Sequence, residues 1–314
     1  MKKSAKIYVA GHRGLIGSAL VRALKDRGYK NLLTRPHQAL DLTHQNKVDR
    51  FFEREKPEYV FLAAARVGGI RANDTYPAEF IYQNQMIQAN VLHSASNHGA
   101  RKLLFFSSSC IYPKKSRQPM KEEYLMTGPM EPTNEAYGAA KMAGLVMCQS
   151  YRRQYGANFI SVIPANVYGI HDHFDENGHV LAALIAKFHE ARVKKKKQVT
   201  VWGTGKPRRE FFYVDDLADA ALFLMENYDR AEPINVGTGQ ETSIRVLAEK
   251  VKEAVGFEGE IVYDTNRPDG NPRRLLDSSR IRAMGWRPGT SLERGLELTC
   301  RWYAETILKK SVKP

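Results

Sequence analysis

The chain is poor in cysteine, with three in 314 residues, at positions 110, 148 and 300. Their number is odd and their spacing wide, so they form neither a disulfide framework nor a paired-cysteine metal cluster. At least one thiol is unpaired, which suits a reducing compartment. Long apolar runs are missing too. No stretch approaches the roughly 20 residues that span a bilayer. The first apolar segment, Ile7 to Gly11, is too short for the core of a secretory signal. A cytoplasmic protein without a bound metal or a membrane contact is expected. Acidic residues are the third shortage, 34 against 48 basic ones, for a net charge of +14. The excess, with the run Lys194–Lys197, fits a solvated surface, a nucleic-acid contact or a polyanionic small ligand. The motifs favour the small ligand, and no nucleic-acid partner is expected.

What is present is an alternation of strand and helix patterns. Residues 6–11 read as a buried parallel strand, and a helical pattern runs from about Leu15 to Arg27 and stops at Gly28. Strand-like runs recur at 31–34, 59–65, 102–109 and 158–164, with long helical patterns at 77–98 and 135–155. This order predicts an α/β, Rossmann-like, doubly wound parallel sheet with both faces covered. After Gly169 the texture changes to a polar loop and a helix over 180–192. Strands then follow at 211–214, 234–237 and 260–263, and helices near 216–226 and 243–255. The length exceeds what one core of ordinary size needs. The expected layout is a dinucleotide-binding domain over residues 1–170 and a smaller α/β substrate domain over 171–314, with strands from about 211–240 returning to the first sheet.

Gly11-His12-Arg13-Gly14-Leu15-Ile16-Gly17 joins the first strand to the first helix. One glycine permits the sharp turn, a second lets the backbone approach a pyrophosphate, and a third allows close helix–sheet contact. The helix N-terminus then offers free N–H groups to phosphate. The second strand ends Leu32-Leu33-Thr34-Arg35, with no carboxylate where NAD enzymes usually hold the ribose hydroxyls. Arg13 and Arg35 suit a 2′-phosphate, so NADP(H) is the expected cofactor. Ala63-Ala64-Ala65 closes the third strand with small residues, as core packing or as room for a cofactor over the sheet edge.

Tyr137-Gly138-Ala139-Ala140-Lys141 places a phenol and an ammonium four residues apart, on one face of a helix. An ammonium beside a phenol lowers the tyrosine pKa and equips it for proton transfer. Such a pair is common by chance. Its weight comes from following Ser107-Ser108-Ser109 at a strand end and the glycine loop before that. The G-x-x-G-x-x-G spacing and this order resemble the extended short-chain dehydrogenase/reductase family. The resemblance implies that Ser108 binds the substrate oxygen, that Tyr137 donates the proton, and that Lys141 holds the nicotinamide ribose and tunes Tyr137. Asp41-Leu42 resembles that family's adenine-contacting segment.

Further motifs narrow the resemblance. Ser108-Ser109-Cys110-Ile111-Tyr112-Pro113 puts a thiol two residues beyond the serine. Pro164-Ala165-Asn166-Val167-Tyr168-Gly169, Asn177-Gly178-His179-Val180, Val201-Trp202-Gly203-Thr204-Gly205, Arg208-Arg209-Glu210-Phe211-Phe212 and Arg267-Pro268-Asp269-Gly270 follow. From about Lys6 to Tyr303 the series resembles the GDP-L-fucose synthase family. That resemblance implies NADPH-dependent 3,5-epimerisation and 4-keto reduction of GDP-4-keto-6-deoxy-D-mannose. It assigns Cys110 as base and His179 as acid on opposite sides of the hexose, where the C4 ketone acidifies both neighbouring carbons. It adds Ser107, Pro164, Asn166, Val167 and His179 to the cofactor contacts. For the nucleotide sugar it points to Ser108, Asn166, Lys187, Trp202, Arg209 and Asp269. The lesser readings make Cys110 a small core residue and His179 a polar loop residue. Two departures from the pattern stand out: Ser107 replaces a glycine, and His37 stands where an arginine would add a basic contact. A homodimer through segments 77–98 and 135–155 follows from the family alone. Two alternatives stay open: a nucleotide-sugar 4-epimerase or 4,6-dehydratase, and a non-catalytic NADP-sensing or nucleic-acid-binding protein on the same fold.

Overall fold

The computed structural model describes residues 1–175, 178–267 and 269–308. Asn177 and Pro268 of the quoted motifs, and positions 309–314 of the expected second domain, lie outside the described residues.

In chain order the first part runs β1 (Ile7–Ala10), α1 (Leu15–Asp26), β2 (Leu32–Leu33), α2 (Gln45–Glu55), β3 (Tyr59–Leu62), α3 (Ile70–Thr75), α4 (Pro77–Asn97), β4 (Lys102–Phe106), α5 (Glu135–Tyr155) and β5 (Phe159–Pro164). The strands are continuous apolar runs, and β1, β4 and β5 are buried along their whole length, as a sheet covered on both faces requires. Glycine ends two of the helices: Gly28 (φ +79°) just beyond α1 and Gly156 (φ +67°) at the end of α5 take up the left-handed conformation. α1 packs on the later helix Val214–Asn227, whereas α4 packs on α5 and α2, giving one helical layer on each side.

The second part runs β6 (Asn166–Tyr168), α6 (Val180–Val193), β7 (Gln198–Trp202), β8 (Arg208–Arg209), β9 (Phe211–Tyr213), α7 (Val214–Asn227), β10 (Ile234–Val236), β11 (Thr242–Ser243), α8 (Ile244–Val255), β12 (Glu260–Asp264), β13 (Arg273–Arg274), α9 (Ser279–Ala283) and α10 (Leu292–Tyr303). The main sheet has six strands, all parallel, in the order β10-β5-β4-β3-β1-β2. Of the later strands expected to return to it, β10 does so, beside β5. β9 does not: it pairs in parallel with β6 in a separate two-stranded sheet. A second apolar core forms away from the main sheet, where Leu184 and Phe188 of α6 meet Leu247 and Val251 of α8 and Leu296 of α10. Cys148 belongs to the first core and Cys300 to the second.

The strand order reverses between β1 and β3, because β2 lies on one side of β1 and β3, β4 and β5 on the other. Ligand crevices of open α/β sheets form outside the carboxyl ends of the strands at such a point. β3 and β4 end at Leu62 and Phe106, short of the runs to 65 and 109 read from sequence. Ala63 and Ser107 still donate to the Ala10 and Val162 carbonyls of the neighbouring strands, and beyond them Ser109–Ile111 turns into a short 3₁₀ segment. The small residues 63–65 and 107–109 thereby become the rim of the crevice.

Candidate active site

A cleft with a cavity volume of about 1580 Å³ runs from the glycine loop to β7 and β8. It exceeds the roughly 300–1,000 Å³ of sites for drug-sized ligands and suits two nucleotide-sized ligands end to end.

At its first end the backbone makes the wall. Gly11 sits at φ +82°, and a Cβ there would stand 2.7 Å from the Ala64 amide nitrogen. A Cβ at Gly17 would stand 2.0 Å from the Gly11 carbonyl oxygen, so α1 can close onto the loop only without one. Gly14 has room, with its nearest contact at 3.5 Å. It precedes α1, whose first turn has no side-chain cap and no acidic residue. Gly14, Leu15 and Ile16 face the cleft there, an arrangement that fits a pyrophosphate. His12, Arg13 and Gly17 are not part of the cleft wall: Gly17 is buried behind the loop and Arg13 points to solvent. Of the two arginines expected at the 2′-phosphate, Arg35 alone lines the cleft. Its guanidinium donates to Glu55 Oε1 (2.9 Å), a carboxylate brought from the end of α2. Asp41, Leu42, Ala63 and Ala64 continue this wall, with exposed His37 at 3.9 Å from Asp41. Asp41 also accepts from the Thr43 hydroxyl at 2.8 Å.

At the middle of the cleft, Ser107, Ser108 and Cys110 from the turn after β4 face Tyr137 from the first turn of α5. The Ser108 hydroxyl caps its own turn, accepting from the Cys110 amide at 3.2 Å, and hydrogen-bonds the Tyr137 phenol. Lys141 lies beneath, buried, and donates to the Phe106 carbonyl at 3.0 Å. It does not line the cleft, and its ammonium is 5.9 Å from the centre of the Tyr137 ring. Burial brings Lys141 down to about 7, with Cys148 opposing weakly. Burial also pushes the Tyr137 phenol well above its ordinary value; Cys110 adds to the rise and the Ser108 hydrogen bond opposes it. Burial thus outweighs the lowering of the tyrosine pKa expected from Lys141, whose amine is itself buried and tied to a carbonyl. The phenol stays protonated at neutral pH, the form a proton donor needs.

Pro164, Asn166 and Val167 border the same stretch, and Asn166 Nδ2 donates to the Glu210 carbonyl at 3.0 Å. His179 lines the same cleft, just before α6. Its side chain is 46% exposed, one edge open to the cleft, whereas its partner Asp172 is 3% exposed with Oδ1 at 3.6 Å from His179 Nδ1. Desolvation disfavours the imidazolium, but the hydrogen bond and charge of Asp172 outweigh it, and the His179 pKa is raised.

The far end is walled by side chains. Trp202, 46% exposed, has Lys187 Nζ at 5.2 Å and the Arg267 guanidinium at 5.1 Å from its ring. Burial lowers Arg209 to about 10, assisted by neighbouring Arg274 and opposed by Asp269 and Cys110, so it keeps its charge at neutral pH. Asp269, expected to meet sugar hydroxyls, accepts from Thr204 on both oxygens: the amide donates to Oδ1 at 2.9 Å and the hydroxyl to Oδ2 at 2.6 Å.

The chain matches the model of the NAD dependent epimerase/dehydratase family over residues 7–237. It is 57% identical over 311 residues to a putative GDP-L-fucose synthase 2 of Arabidopsis thaliana, covering 99% of this chain and 95% of that one. The chain belongs to the GDP-L-fucose synthase family. Among solved structures, a GDP-L-fucose synthetase from Naegleria fowleri bound to NADP superposes with TM-score 0.91 at 30% identity, covering 97% of this chain and 95% of that chain. A GDP-mannoheptose C4 reductase from Campylobacter jejuni with NADP bound gives TM-score 0.89 at 44% identity, covering 96% and 99% respectively.

Several residues of this GDP-L-fucose synthase family site escaped the sequence reading. Arg274 sits beside Arg209, 8% exposed, with Nη1 donating to the Ser109 carbonyl at 2.6 Å. Two guanidinium groups held together by the fold are an anion site in waiting. Arg274 lies within a short basic run that gave no sign of which member turns inward. Asp172 lies in a polar loop, and only its position behind His179 marks it. Asn134 donates to the Cys110 sulfur at 3.3 Å. Its one signal in the sequence was its place just before a helix, which reads as a cap.

Proposed function

We propose that this chain converts GDP-4-keto-6-deoxy-D-mannose to GDP-L-fucose with NADPH, by epimerisation at C3 and C5 followed by reduction at C4. The observation that carries the reading is that a thiol, Cys110, and an imidazole partnered by Asp172, His179, line the same cleft as Ser108 and Tyr137. Epimerisation needs a base and an acid on opposite sides of the ring, and reduction needs a proton donor at one oxygen. Cys110 removes the proton next to the ketone, and His179, whose imidazolium form Asp172 favours, returns one from the other side. Ser108 and Tyr137 hold the C4 oxygen while negative charge collects there. Tyr137 then gives up its proton to that oxygen. NADPH, when bound, supplies the hydride to C4. Gly11, Gly14 and the start of α1 would hold its pyrophosphate, and Arg35 its 2′-phosphate. Arg209, Arg274 and Lys187 would meet the sugar-nucleotide diphosphate, with Trp202 as a surface for the base.

The test is incubation with NADPH and the 4-keto sugar, following nicotinamide oxidation and the product's stereochemistry, with C3/C5 exchange in deuterium oxide as a second channel. Cys110→Ser should abolish the exchange. Wild-type protein that reduces the ketone without exchanging either position would instead favour a C4 reductase, a reading that the likeness to the heptose reductase makes specific. We further propose a homodimer through α4 and α5, which carry exposed Tyr82, Val146 and Tyr155. A monomeric mass by light scattering would refute it. A cytoplasmic site of action belongs to the same proposal, since a working thiol needs a reducing compartment. Among the described residues no helix is long and apolar enough to cross a membrane.

A further inference from the structure

The residue ahead of α5 breaks a local rule. Asn134 occupies the N-cap, where asparagine is favoured because its side-chain oxygen accepts an N–H from the first turn. Here it makes no cap hydrogen bond. Its amide nitrogen instead donates to Cys110 Sγ at 3.3 Å, and its Oδ1 is buried with no partner among the described residues. The fold thus gives up a cap and leaves a buried acceptor unpaired, two costs that a helix start does not otherwise carry. Stored costs of this kind cluster at functional sites.

The surroundings hold the contact in place. A Cβ on Gly138 would stand 3.2 Å from the Cys110 carbonyl oxygen, so α5 packs its first turn directly against the cysteine's turn. The Cys110 amide is held by Ser108 Oγ at 3.2 Å, and the preceding Ser109 carbonyl by Arg274 at 2.6 Å. The sulfur therefore has little freedom to leave its donor, and it lies beside the positive end of a helix. We infer that Asn134 is the positioning residue of the epimerisation base: it hydrogen-bonds the Cys110 sulfur, stabilises its anionic form and aims it into the cleft. This rests on the reading of Cys110 as base, and the two can fail separately.

The test uses the full chain with NADPH, iodoacetamide alkylation across pH, and mass measurement of the Cys110 peptide. Cys148 and Cys300, 1% and 4% exposed, react slowly and do not obscure it. Losing a hydrogen bond to a charged sulfur should raise the alkylation midpoint in Asn134→Ala by about one pH unit. C3/C5 deuterium exchange at neutral pH should then fall ~10-fold with KM little changed. Asn134→Asp controls for folding. Aspartate is favoured ahead of a helix as asparagine is, so the fold should be kept, while an anion beside the sulfur raises the midpoint by charge alone and the Asn134→Ala shift carries the decision. An unchanged midpoint in Asn134→Ala would overturn the inference. So would a lowered midpoint in Asn134→Ala, which would mean that the thiol donates to Oδ1. Exchange surviving in Cys110→Ser would remove the base role itself, whatever the midpoints do.

Discussion

Around the glycine loop the cleft is walled by main chain: Gly11 lies against Ala64, Gly17 against Gly11, and the bare first turn of α1 opens between them. At the other end the wall is side chains from α6, β7, β8 and β13: Lys187, Trp202, Arg209 and Arg274. Main-chain walls tolerate no added atom but need little else, because peptide geometry fixes them. Side-chain walls need long cations to be held together against their own repulsion, which the fold achieves by tying Arg274 to the Ser109 carbonyl and Arg209 to the Arg208 carbonyl. In the proposed function, one end reads a pyrophosphate through N–H groups and the other meets a second diphosphate through charge.

The largest effect is expected at the seam. Tyr137→Phe removes the phenol proton and should slow NADPH oxidation by about 10²–10⁴-fold without unfolding the chain, as steady-state rates and a melting curve would show. Next comes the main-chain end. Gly17→Ala forces backbone apart and should cost about 1–3 kcal/mol of stability. Gly14→Ala, with ordinary contacts, should stay within about 0.5 kcal/mol. Equal melting shifts for the two would erase the distinction between loop positions. Arg35→Ala tests whether a side chain adds selectivity to that wall: NADPH affinity should fall about tenfold and NADH affinity hardly at all. An equal loss for both cofactors would assign Arg35 a structural role with Glu55.

The smallest effect concerns pH. His179 has a raised pKa in the folded state, so its contribution to stability is fully present below the unfolded value of about 6.5 and is lost as pH rises through the folded value. The imidazole is partly exposed, so this amounts to less than about 1 kcal/mol. Melting of His179→Gln should fall below wild type at acidic pH and converge with it in mild alkali. A gap that widened with rising pH would contradict the Asp172 partnership.

The parallel sheet was legible because its buried strands are largely apolar runs and two of the helices between them, α1 and α5, end in glycine. The charged α2, with three buried residues, Val48, Phe51 and Phe52, offered little pattern, and two-residue strands such as β8 and β13 offered none. Ser108 and Tyr137 could be placed because a strand end and a helix start bring them to the crevice. Arg13 and Arg35 looked equivalent as letters, yet one faces solvent and the other is drawn inward by Glu55.

Local order alone therefore determined the dinucleotide loop, the serine–tyrosine–lysine succession and the sheet that carries them, because each depends on neighbours within a turn or a strand. Tertiary structure decided the charge states and the partners. Burial lowers the Lys141 pKa and raises that of the Tyr137 phenol; Asp172 stands behind His179, Asn134 beside Cys110 and Arg274 beside Arg209. Desolvation and contact between distant segments exist only once the chain is packed, and no run of adjacent letters encodes them.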